Sequence, residues 1–226
     1  MSAYLLLNIL IVLVPLVLSF ERRLRFYQNW TAYGFSVAIV STLFIFWDAF
    51  ATNRGDWAFN SIYTIGWEIF GLPIEEIMFF ITVPYSVIFI YETLNAYIED
   101  YFYSTRRIVF LVFSIIFFIL SFFVIGQNYT HILFLFISFS FFLMYFIKKS
   151  IAQTQNFWLT IVISYIPFLI VNYLLTSIPI VTYNDFENFG IRIITIPIED
   201  LGYSFAMISM WLLFYDLGKR LFSKYE

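Results

Sequence analysis

Four carboxylates stand in two matched segments of this sequence. Pro73-Ile74-Glu75-Glu76 and Pro197-Ile198-Glu199-Asp200 each place two adjacent acids behind a proline, and each runs into a long apolar stretch. A charge at the centre of a bilayer helix costs at least about 2.5–3.5 kcal/mol, so acids in such segments face the bundle interior and mark function. Adjacent helical residues point about 100° apart, so only one acid of each pair can aim squarely into a shared cleft. Burial and a neighbouring carboxylate favour a protonated acid, whereas a helix N-terminus favours an ionised one. Facing pairs from two helices could resolve that conflict by sharing one proton. One apolar pocket would then hold both a proton donor and a proton acceptor. A plainer role stays open for each segment alone, because proline followed by acids is an ordinary helix start. Two copies at matched positions weigh against it.

Further candidates surround these four. Asp48 closes an apolar run beside Trp47, with Trp57 and Phe59 just beyond; an aromatic belt with an acid at the water boundary is the competing reading. The 31 Phe read mostly as lipid-facing bulk, but a few rings lining a cleft could stabilise a cation through their π faces. Glu68 and Arg192 occupy matched positions with opposite charge and are expected to pair. Cysteine is absent, which excludes disulfides, thiolate metal sites and cysteine nucleophiles. None of the eight glycines forms a G-x-G, so a dinucleotide fingerprint or P-loop is missing. His131 stands alone, and none of the four lysines falls in an apolar run, which excludes a retinal Schiff base. The chemistry left is proton in, proton out, with no metal and no cofactor expected.

The elements that must position these residues are membrane helices. Of 226 residues, 62% are hydrophobic, 24% aromatic and 12% charged, against about 25% charged in soluble domains. The formal charge is -3 and the basic residues sit in short clusters, so lipid, not nucleic acid, is the expected partner. Seven apolar runs cover 4–20, 33–47, 73–94, 108–125, 132–147, 158–175 and 197–217, and crossing a bilayer takes roughly 20 helical residues. The first run lacks a preceding basic residue and a small-x-small site after it, so it reads as a span and not a cleaved signal. The expected fold is all-α, a seven-transmembrane-helix bundle. One set of ends and loops then carries Arg22, Arg23, Arg25, Arg106, Arg107, Lys148, Lys149, Lys219, Arg220 and Lys224, the other only Arg54 and Arg192. By the positive-inside rule the chain is a multi-pass cell-membrane protein with its N-terminus outside and its C-terminus in the cytoplasm.

An ungapped slide of 124 residues matches the chain to itself. Glu75-Glu76 falls on Glu199-Asp200, Asp48 on Asn172, Phe79 on Tyr203, Tyr91-Glu92 on Tyr215-Asp216, Gly66 on Gly190 and Arg25 on Lys149. The expected organisation is therefore a first repeat over 1–103 (spans 1–3), a connecting span 4 in 104–128 and a second repeat over 129–226 (spans 5–7). Four spans separate equivalent helices, so these are parallel repeats related by an axis along the membrane normal, not inverted ones.

Trp47-Asp48, Gly55, Trp57, Phe59 and Gly71-x-Pro73-Ile74-Glu75-Glu76-x-x-Phe79-Phe80 with Pro84 resemble the first subunit of the heterodimeric carotenoid lycopene cyclases. Asn172-x-x-Leu175-Thr176, Tyr183-Asn184, Gly190-x-Arg192 and Pro197-x-Glu199-Asp200-x-x-Tyr203 resemble the second. Both half-signatures in order make the chain similar to a fused, single-chain form, such as the cyclase portion of the fungal bifunctional lycopene cyclase/phytoene synthases. The synthase portion is not matched, so its activity is not carried over. The resemblance implies cyclisation of the ψ-ends of lycopene to β-ionone rings, giving γ-carotene and then β-carotene, without redox chemistry. It implies Glu75 and Glu199 as donor and acceptor, with Glu76 and Asp200 sharing protons or ordering the pair. Asp48, Trp47, Phe79, Asn172, Arg192 and Tyr203 would bind substrate or shape the site. The partners implied are a carotenoid, the bilayer, and a second copy of the chain or other carotenoid enzymes. Two alternatives remain: a C50 carotenoid cyclase forming ε- or γ-type rings, and a membrane carrier with a carboxylate proton relay.

Overall fold

Backbone groups cannot stay unpaired in lipid, and this apolar chain answers with helix over 72% of its length. The structure, a computed structural model, describes residues 2–103, 106–148 and 150–222; Lys149 and Lys224 of the charge sorting lie outside them, as does residue 104 at the expected repeat boundary. The helical stretches are α1 (Ala3–Leu18), α2 (Phe26–Arg54), α3 (Ile74–Tyr97), α4 (Ile108–Val124), α5 (Asn128–Phe146), α6 (Gln155–Ser177) and α7 (Glu199–Phe222). Four of them, α2, α3, α5 and α6, are long and apolar enough to cross a membrane; α1 and α4 are apolar but shorter.

Helix α7 is the axle of the bundle. Residues 206–213 are all buried, which over more than two turns means every face is covered. It packs on α2, α3, α5 and α6, while α1 lies on α3 and α4 on α5. Hydroxyls knit the centre. Ser36 Oγ donates to the Trp211 carbonyl (2.7 Å), Ser41 Oγ to the Phe80 carbonyl (2.6 Å), and the Trp211 indole N–H to Ser41 Oγ (3.0 Å). Ser41 ends a π-helical turn, Val37–Ser41, inside α2.

Two local features differ from expectation. The second apolar run ends at Trp47, but α2 continues to Arg54. The helix stops only where Gly55 adopts φ +90°, and its N–H bonds the Ala51 and Thr52 carbonyls (3.0 and 3.1 Å). Asp48 thus sits well inside a helix, not at its end. The prolines are also not first helical residues. Pro73 and Pro197 close two small hairpins, β2 (Glu68–Ile69) on β3 (Leu72–Pro73) and β5 (Arg192–Ile193) on β6 (Ile196–Pro197). The Ile74 N–H returns to the Trp67 carbonyl and the Ile198 N–H to that of Ile191, both at 2.9 Å. The two hairpins stand 124 residues apart, and Phe70 (φ +55°) and Ile194 (φ +60°) occupy the same left-handed turn position in each. A third pairing, β1 (Trp57–Phe59) with β4 (Val181–Tyr183), sets Trp57 opposite Tyr183 and ties the loop after α2 to the loop after α6.

Candidate active site

A cavity of about 380 Å³ opens among α1, α3, α6 and α7, closed at the hairpin end by β1 and β4. Most of its wall is apolar. Three carboxyl groups face it, Asp48 from α2, Glu76 from α3 and Asp200 from α7, and each of these residues is buried.

Donors converge on the three acids. Tyr4 Oη donates to Glu76 Oε2, and the Trp57 indole N–H donates to Asp48 Oδ1 (2.7 Å). The Asp48 and Glu76 carboxyls lie within hydrogen-bonding reach of each other. Asp200 receives Tyr129 Oη on Oδ1 (2.6 Å), and Tyr183 Oη and Asn172 Nδ2 on Oδ2 (2.9 and 3.3 Å). Burial, with the nearby Asp200 charge, pushes the Tyr183 phenol well above its ordinary value, so it stays a donor. The indole of Trp57 stacks edge-on against Tyr129, 5.1 Å between centroids, and joins the two clusters.

Glu75 and Glu199 point elsewhere. Glu75 Oε1 accepts the Ile65 N–H (2.7 Å) and Ser2 Oγ (2.6 Å); Glu199 Oε1 accepts the Phe189 N–H (2.7 Å) and Thr130 Oγ1 (2.8 Å). Each clamps the loop ahead of its own hairpin, ten residues back in the chain. The cavity therefore takes the second acid of each pair, the reverse of the order favoured from sequence. The reason is the hairpin: it sets the rotational start of the helix, and the first acid is consumed satisfying loop N–H groups.

The remaining candidates divide. Phe79, Asn172 and Tyr203 line the cavity, and the Tyr203 hydroxyl is buried without a hydrogen-bond partner. Trp47 stands behind the wall, edge-on to Trp57 at 6.3 Å. Arg192 does not meet Glu68. It pairs with Asp185 and donates to the Thr195 carbonyl (3.0 Å), while Glu68 is exposed on its hairpin. Each side chain stays with its own hairpin, because β2 pairs with β3 and β5 with β6. Among the described residues no group of three His, Cys, Asp or Glu is arranged to hold a metal ion.

Tyr4 and Tyr129 were not among the sequence candidates, yet each donates to a cavity acid. They stand 125 residues apart, one more than the repeat offset, so an ungapped slide of 124 passes over them.

A family model described as lycopene cyclase matches residues 1–94 and 126–217. The chain belongs to the lycopene cyclase family. No curated protein and no solved structure matches it. The two matched stretches contain every residue facing the three acids, and the unmatched 95–125 spans α4, which is absent from the cavity wall. As a carotenoid cyclase the chain acts on a hydrocarbon that dissolves only in lipid, which agrees with its apolar helices.

Proposed function

We propose that this cyclase converts the ψ-ends of lycopene to β-ionone rings, by acid–base chemistry at Asp48, Glu76 and Asp200. The observation that carries the reading is the cavity itself, in which three carboxyls and neutral donors are the polar features of an apolar chamber. Ring closure needs one proton delivered to C2 of the terminal double bond. The C1 cation is then attacked by C6, and one proton leaves the ring. No electrons are exchanged on balance. Loss of the C6 proton gives the β ring; loss from C4 or from the C5 methyl gives ε or γ rings.

The matched hairpins and the matched acids support two parallel three-helix repeats joined by α4, within a bundle of seven spans. The basic clusters support an outer hairpin end and a cytoplasmic C-terminus. The two half-signatures support kinship with the fused form of the heterodimeric cyclases. The test is expression in a bacterium that accumulates lycopene, followed by chromatography of the pigments with absorbance and mass detection. A product of unchanged mass that co-elutes with β-carotene is expected. Persistence of lycopene beside membrane-inserted protein would overturn the reading, and ε- or γ-ring products would overturn the β assignment.

A further inference from the structure

Resting on that reading, we infer that the two halves of the cavity divide the proton work: the Glu76–Asp48 pair delivers the proton and Asp200 removes it. Asp48 and Asn172 are repeat-matched, and this exchange of acid for amide makes the halves unequal, as do Trp57 against Val181 and Phe59 against Tyr183. In the first half two carboxyl groups meet within hydrogen-bonding reach. A carboxylate has only acceptor oxygens, so a hydrogen bond between two carboxyls requires that one of them carry the proton. Asp48 Oδ2, buried and without any N–H or O–H partner, is free to take part in that bond. The pair is thus a stored proton at the cavity wall, and Trp57 and Tyr4 hold its other oxygens.

The second half is built the opposite way. Both Asp200 oxygens accept, from Tyr129, Tyr183 and the Asn172 amide, and among the described residues no second carboxyl is hydrogen-bonded to them. Three donors and no carboxyl partner match a carboxylate, which only accepts. Had residue 172 been an acid, this site too would hold a shared proton. The amide leaves it a base.

The balance follows. The proton of the pair goes to C2 of the ψ-end, the C1–C6 bond forms, and the ring proton passes to Asp200. Asp200 then holds one proton too many and the pair one too few. The Tyr203 hydroxyl lines the same cavity, buried and without a hydrogen-bond partner, and the extra proton must pass from Asp200 back to the pair before the next ring closes.

The test follows solvent deuterium into carotenoids, using lycopene and membranes carrying the full chain in heavy water, with protein levels matched by immunoblot. Wild type should place one deuterium in each new ring. Asp48→Asn should lose on the order of 100-fold or more of ring formation, the scale of a lost general acid, and leave the recovered lycopene undeuterated. Asp200→Asn should also lose its rings, but protonation by the intact pair, reversed without a base, should leave deuterium in lycopene or in a hydrated product. The double exchange Asp48→Asn/Asn172→Asp moves the shared proton to the other half and should restore ring formation at least about tenfold over Asp48→Asn alone. Deuterated lycopene from Asp48→Asn, or none from Asp200→Asn, would overturn the division. If Asp48→Asn fails to accumulate, Glu76→Gln removes the same donor and is read the same way. Wild type that forms no ring, or rings without deuterium, would instead overturn the acid–base cyclase reading itself.

Discussion

Helices α3 and α7 each carry acids at two levels, Glu76 and Asp200 at the hairpin end, Glu92 and Asp216 at the far end. The levels are sixteen residues apart, or about 24 Å along a helix, and both sets are repeat-matched. At the far end each acid has a cation. Glu92 Oε1 meets Lys219 Nζ at 2.8 Å and also receives Tyr215 Oη (2.9 Å); Asp216 pairs with Arg220 at 2.5 Å. At the hairpin end, among the described residues, Asp48, Glu76 and Asp200 have no cation at salt-bridge distance, only phenols, an indole, an amide, the Thr52 hydroxyl and one another. A cation ties each acid into an ion pair, between helices for Glu92 with Lys219 and within α7 for Asp216 with Arg220. Neutral donors hold the group in place and leave its proton free to move, which serves chemistry. The same residue type at equivalent positions is tied to cations at one end and, in the proposed reading, turned to reactivity at the other.

The largest effect that would test this contrast is at the cavity. Glu76→Gln should cut cyclisation on the order of 100-fold or more with membrane protein unchanged. Glu75→Gln, one residue away, should leave turnover per folded molecule within a few-fold. Pigment yield normalised to immunodetected protein separates them, and equal loss in both would collapse the distinction between the two acids. Next in size is the structural cost of the first acids. Glu75→Ala strands the Ile65 N–H and Ser2 hydroxyl, and Glu199→Ala strands the Phe189 N–H and Thr130 hydroxyl. Each should lose about 1–3 kcal/mol, the cost of an unsatisfied buried donor, seen as a lower melting temperature in detergent. Unchanged melting in both would show that the loops are held some other way.

How far this contrast could be read in the sequence depends on what each residue answers to. Lipid demands long apolar runs, so all seven runs overlap helices. The end of α2 was hidden because apolarity stops at Trp47, whereas the helix obeys Gly55. That the two acid pairs hold matched places at the starts of two helices was legible from their repetition. Which acid faces inward was not, because it is a 100° question settled by hairpin hydrogen bonds between residues as distant as Ile65 and Glu75. Tyr4 and Tyr129 escaped for a simpler reason: one extra residue breaks the repeat between them. Arg192 was misplaced because a matched opposite charge suggested a long-range pair, while Asp185 lay seven residues away.

Smaller effects belong to the far end. Lys219 is 40% exposed and its partner Glu92 9%, so water screens the pair, and Lys219→Met should cost about 1 kcal/mol or less. Adding Glu92→Gln should recover most of that loss, since the carboxylate no longer needs a cation. Both variants should keep the wild-type pigment yield per folded molecule. Loss of cyclisation in Lys219→Met at full membrane levels would mean that the far-end acids also serve the reaction, and the contrast between the two ends would fall.

The smallest effect is expected at Glu21, a partly exposed acid in the turn between α1 and α2. Its carboxylate accepts the N–H groups of Arg23 and Leu24 (2.9 and 2.8 Å), and these bonds hold its pKa below the ordinary glutamate value. A group whose folded pKa is lowered contributes above its unfolded value and loses that contribution as pH falls through the folded one. Amide exchange at Arg23 and Leu24, corrected for its intrinsic pH dependence, should therefore keep its protection down through the ordinary glutamate range and lose it only at lower pH. Glu21→Gln should remove the pH dependence. Cyclisation should be indifferent to either change, because this carboxylate meets only its own turn and the Tyr97 hydroxyl (3.4 Å), away from the cavity. Protection lost at the ordinary glutamate pH would show that the turn does not grip the acid.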